Sequence, residues 1–70
     1  MTHEDVDEIL VFGTKTELEA LNGADISYSF CSEYSSMSIY YDDGTIGRLH
    51  GLGVIPKCVE LFGSDHSFAK

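Results

Sequence analysis

The clearest pattern in the chain is an alternation of apolar and polar positions over residues 26–42. Ile26, Tyr28, Phe30 and Tyr34 fall on one side, with Ser27, Ser29, Cys31 and Glu33 on the other. Met37, Ile39 and Tyr41 repeat it, with Ser36, Ser38, Tyr40 and Asp42 opposite. Successive side chains of a strand point to opposite faces, so the pattern predicts two antiparallel strands with one buried and one wet face. Ser35 and Ser36 mark the turn between them. Asp42-Asp43-Gly44 then predicts a hairpin loop leading to a third strand over residues 45–49. A three-residue loop with Gly44 as the bulge would pair Met37 with Leu49 and Ser38 with Arg48. A two-residue turn would mix the faces, and register follows the buried face.

The flanking segments change period. Residues 8–12 read as a strand, because β-branched Ile9 and Val11 stand beside Phe12. The rival is a helix from Thr2, with Val6, Ile9 and Leu10 at helical spacing and Glu4, Asp5 and Asp7 at its positive end. Short apolar runs are ambiguous by period, and we assign the strand. Thr14-Lys15-Thr16-Glu17 has the form of a capping box. It predicts a short helix over residues 15–22 with Leu18 and Leu21 on one face and Asn22-Gly23 as its stop. Pro56 suits a first helical turn, and Ile55, Val59 and Phe62 form a stripe that ends at Gly63. The tail from Ser64 reads as frayed.

The expected fold is therefore α+β. It is a small two-layer sandwich in which an antiparallel sheet of about four strands carries two short helices on one face, in the order β-α-β-β-β-α. Residues 1–70 form one domain, since a chain of this size supports a single, marginal core. The wet face of the sheet would be rich in serine, with Cys31, Glu33, Tyr40, Ile46 and Arg48.

Charge sharpens the picture. Twelve acids against four bases give a net charge of -8 and a pI near 4.4. So acidic a body repels nucleic acid and anionic membranes, which leaves a protein with a basic surface as the electrostatic partner. The longest apolar run is Ile9-Leu10-Val11-Phe12, far short of the ~20 residues that a membrane span needs. An acidic start with no long apolar stretch is unlike a secretory signal, and predicts a cytoplasmic location. In that compartment Cys31 and Cys58 read as free thiols rather than as a bridge.

Chemistry is sparse. His3, His50, His66, Cys31 and Cys58 lack the pairings of a zinc site, so no metal or other cofactor is expected. Gly44, Gly47, Gly51 and Gly53 surround Arg48 and His50 but do not lead into a helix with the Lys-Ser/Thr of a phosphate loop. The carboxylate pairs read as exposed, and no nucleophile, base and orienter stand together, so no enzyme is expected. Cys31, Arg48 and His50 would be the carriers of any small-ligand role.

Two functions remain. The first is a small protein-binding inhibitor that blocks a basic, nucleic-acid-binding protein by mimicking nucleic acid. Duplex DNA carries about one negative charge per 1.7 Å of axis, so a mimic needs many carboxylates on one side. The candidate rows are Glu4, Asp5, Asp7 and Glu8, then Glu17, Glu19 and Asp25, then Asp42 and Asp43 at the hairpin tip. In size and acidity the chain is similar to phage-encoded inhibitors of bacterial defence, of the anti-CRISPR and anti-restriction kinds. The second is a self-association module without catalytic activity, a homodimer built on Tyr34, Tyr40, Tyr41 and Ile46.

Overall fold

Thr2 opens a helix. In the computed structural model, which describes residues 2–21 and 23–67, the first element is α1, His3–Phe12. The Thr2 hydroxyl accepts the Asp5 N–H at 3.1 Å, and the Asp5 carboxylate accepts the Thr2 N–H at 3.3 Å. This reciprocal cap satisfies two donors that a helix start leaves open. Glu4 and Asp5 lie in the first turn, where the helix dipole favours them. Val6, Leu10 and Val11 are buried at helical spacing. The strand expected over residues 8–12 is therefore corrected to the second half of α1. A cap and an apolar stripe outweigh the weak strand preference of Ile9 and Val11.

The next helix, α2, is Lys15–Ala20. The Thr14 hydroxyl accepts from the Glu17 N–H at 3.1 Å, and the Glu17 carboxylate from the Thr14 N–H at 2.9 Å. Leu18 and Leu21 are both buried, as their spacing implied. The helix stops earlier than residue 22. Of the expected Asn22-Gly23 stop, Gly23 takes φ 99°, and Asn22 lies outside the described residues.

Three antiparallel strands follow: β1 (Ser27–Cys31), β2 (Ser36–Tyr40) and β3 (Ile46–Leu49). β2 pairs with β3 through Met37–Leu49, Ser38–Arg48, Ile39–Gly47 and Tyr40–Ile46, the register that the buried face dictates. Tyr41 and Thr45 close the hairpin loop, with the Tyr41 N–H on the Thr45 carbonyl at 3.0 Å. Gly44 sits in it at φ 88°, a conformation that glycine adopts without a Cβ clash. β1 ends at Cys31, so Glu33 and Tyr34 lie in the turn and on neither strand face.

Pro56 caps α3, Lys57–Phe62, which ends at Gly63 with φ 107°. Its buried side is led by Cys58, with Val59 and Phe62 half-buried. Ile55, expected in that stripe, is instead exposed in the preceding loop. Tyr28 ties sheet to helix. Its hydroxyl donates to the carbonyls of Gly63 at 2.6 Å and Cys58 at 3.0 Å. The chain then returns as β4, Asp65–Ser67, which pairs antiparallel with β1. The frayed tail is thus corrected over residues 65–67, where β1 offers a free edge; residues 68–70, with Phe68, lie outside the described residues.

The element order is α-α-β-β-β-α-β and the sheet order β3-β2-β1-β4. The fold is a small α+β domain in which helices and an antiparallel sheet share one core. Val6, Leu10, Val11, Leu18 and Leu21 from the helical half meet Ile26, Tyr28, Met37, Ile39 and Tyr41 from the sheet, with Cys58 from α3. Among the described residues no helix is long and apolar enough to cross a membrane.

Candidate protein-binding surface

Eight of the nine acids predicted to carry function lie on two helices and one loop. Glu4, Asp5, Asp7 and Glu8 are on α1, Glu17 and Glu19 on α2, and Asp42 and Asp43 in the β2–β3 loop. Tertiary contacts bring most of them together. His3 bonds Asp43 at 2.8 Å and stacks on Tyr41, with ring centroids 3.8 Å apart and planes 8° off parallel. The Tyr41 hydroxyl donates to Asp7 at 2.5 Å. These bonds clamp the hairpin tip to the first turns of α1, so Asp43 and the acids of that helix become neighbours. On the other flank Asp5, Glu8 and Glu17 line one recess between α1 and α2. Glu19 and Asp25 are exposed beyond this group, at the end of α2 and after it.

Electrostatics follow from these bonds. Asp43 accepts the Thr45 hydroxyl at 2.5 Å and the Thr45 N–H at 2.9 Å, with His3 on its other oxygen. These donors, Thr45 first, hold its carboxyl down at about 2. Burial, and then the bond to anionic Asp7, pushes the Tyr41 phenol up. The clamp therefore holds Asp43 ionised and Tyr41 protonated near neutral pH.

A cleft of about 320 Å³ runs beside α1. One wall is the helix face Glu4, Asp7, Glu8, Val11 and Phe12; the other is Leu49 and Leu52. Leu52 is held there by its N–H on the Ser35 carbonyl at 3.2 Å, while the Gly53 N–H meets the Ser35 hydroxyl at 3.2 Å. Ser35 is, among the described residues, the one non-glycine at positive φ (49°). Phe12 stands 74% exposed at the end of the cleft. Phe12 is absent from the expected site because residues 8–12 read as a strand, and Leu52 carries no sequence signal of its own. The spacing 4, 7, 8, 11, 12 is the signal that a helical reading would have supplied.

Tyr34 and Tyr40 do not join this surface. Tyr34 is 71% exposed in the β1–β2 turn, whereas Tyr40 sits at the far end of β2 on the outer sheet face. Tyr41, expected at a dimer face, is instead buried beneath α1. Cys31 and Arg48 lie in different cross-strand rows of the outer face, Cys31 opposite Ser36 and Arg48 opposite Ser38. Both cysteines are free thiols, Cys31 exposed and Cys58 buried. Burial pushes the Cys58 thiol up to about 11. Among the described residues no group of three His, Cys, Asp or Glu side chains could hold a metal ion. Comparison with protein-family models, curated proteins and solved structures found no match.

Proposed function

We propose that the chain is a small acidic inhibitor that binds a basic, nucleic-acid-binding protein and blocks the surface where nucleic acid would lie. The observation that carries this reading is the gathering of Asp43, Asp7, Glu8 and Glu17 around α1 from three separate elements. Carboxylates held at fixed places on one side of a small body can stand in for phosphates on a basic groove. Binding is then non-catalytic, needs no cofactor, excludes direct contact with nucleic acid or membrane, and takes place in the cytoplasm.

The test is capture of partners from a host lysate on the immobilised chain, followed by washes of rising salt. A nucleic-acid-binding protein released at moderate salt, and lost when Glu8 and Glu17 are reversed to lysine, supports the reading. Retention that ignores both salt and charge reversal refutes it, because contacts between exposed charges are screened within about 8 Å at physiological salt.

A second reading has its own observation. Tyr40 (41% exposed) and Ile46 (62% exposed) are direct cross-strand partners on the outer sheet face, and β3 is an open edge. We read the domain as two layers, with the helices over the inner face and the outer face free to pair with a second copy. Sedimentation at high micromolar concentration tests this, and a strictly monomeric species ends it.

A further inference from the structure

We infer that the cleft beside α1 seats one basic amphipathic helix of the partner protein, gripped by charge at one end and by apolar contact at the other. Resting on the inhibitor reading above, this names the element of the target that is recognised.

Three features of the cleft carry it. First, residues 4, 7, 8, 11 and 12 of α1 fall at the spacing i, i+3, i+4, i+7, i+8, so they form one face about two turns, or ~12 Å, long. Second, that face is divided. Glu4, Asp7 and Glu8 occupy its first half, and Val11 and Phe12 its second, facing Leu49 and Leu52. A helix with lysine or arginine on successive turns and a bulky apolar residue one or two turns further matches both halves at once. Third, the charge on this face is uncompensated. Among the described residues the ion pairs are His3–Asp43 and Lys57–Glu60, so within them no lysine or arginine pairs with Glu4, Asp7 or Glu8, and Asp7 takes the neutral Tyr41 hydroxyl.

Charge complementarity also selects among occupants. Nucleic acid and anionic lipid are repelled by the acidic half. A second copy of the chain matches it poorly, since among the described residues its bases, Lys15, Arg48 and Lys57, lie on three separate elements and share no helix face. Phe12 is the anchor of the apolar half. An aromatic ring 74% exposed at the end of an acidic helix gains most when a partner side chain covers it.

The experiment uses two synthetic peptides of one Lys, Leu and Phe composition. In the first, lysines occupy successive turns of one helix face and the apolar residues follow them on that face. In the second, the same residues are interleaved around the helix. Each is titrated into the isotopically labelled full chain, and backbone amide shifts are followed at low and high salt. The first peptide is expected to shift amides of α1 and of residues 49–53, and to bind roughly tenfold tighter than the second. Phe12→Ala is expected to weaken it by about ten- to thirtyfold, and so is the pair Glu4→Gln with Glu8→Gln. All three residues are exposed, so the variants keep the fold. Equal binding of both peptides, with loss on removing the carboxylates and none on Phe12→Ala, overturns the cleft and leaves the acidic surface standing. No shift from either peptide overturns the cleft, while the salt-wash capture judges the inhibitor reading separately.

Discussion

Gly47→Ala tests the clamp that joins the hairpin to α1. Gly47 lies in β3 opposite Ile39, on the inner face, with the Tyr41 ring directly over it. A Cβ at this position would lie 2.5 Å from the Tyr41 hydroxyl oxygen and 2.8 and 3.1 Å from two ring carbons. The ring has little freedom to retreat, since it is buried, bonded to Asp7 and stacked on His3. Forcing a methyl into a packed site costs about 1–3 kcal/mol. Alanine also restricts the unfolded chain, which returns about 0.4–1 kcal/mol. The expected net loss is ~1–2 kcal/mol, or a fall in Tm of about 4–16 °C for a domain of this length. Thermal and urea unfolding by circular dichroism measure it. The decisive control is the same substitution in a Tyr41→Leu background, where the crowded ring atoms are gone. There the cost of Gly47→Ala should vanish or reverse, a coupling of ~1–2 kcal/mol between the two sites. Equal costs in both backgrounds would refute the packing argument and place the effect in the β3 backbone.

Tyr28→Phe removes a buried hydroxyl that serves two carbonyls and should cost about 1–3 kcal/mol in urea unfolding, while the secondary structure of the folded state stays intact. Because the Asp43 carboxyl is held at about 2 when folded, its ionised form stabilises the fold above the ordinary carboxylate range, and that contribution is lost as pH falls toward 2. A carbon-detected titration should show its low midpoint, and Thr45→Val should raise it toward the ordinary value. A thiol reagent near neutral pH should label Cys31 at once and reach Cys58 only on unfolding, because Cys58 is buried and its thiol is pushed up to about 11. Immediate labelling of both would contradict the packing of α3.

The parts of this fold that are legible in the sequence are those fixed by neighbours along the chain. The Met37–Leu49 register follows from one buried face and a glycine in the loop. The start of α2 follows from Thr14 and Glu17, three residues apart. α1 is masked in the sequence because Ile9, Val11 and Phe12 carry strand preferences, while its cap uses aspartate where glutamate is the usual signal. β4 is three residues long and exists because β1 offers an edge, which its own composition does not announce. Which residues are acidic is plain from the sequence, but their grouping is not. It depends on Tyr41 and His3 reaching across 34 and 40 residues to join the hairpin tip to the first helix.

That reach has a kinetic consequence. The meander β1–β3 joins strands adjacent in the chain and can zip through short loops. The clamp instead closes a loop of 34–42 residues, and its entropic cost must be met before any of its bonds form. Folding should therefore nucleate in the hairpins, with α1 docking on a sheet that already exists. Substitutions in α1, such as Val6→Ala, should then speed unfolding and leave the refolding rate nearly unchanged, whereas Ile39→Val should slow refolding. The carboxylate face would thus be the last part of the molecule to assemble, and a chain halted short of that step would display its acids without their arrangement.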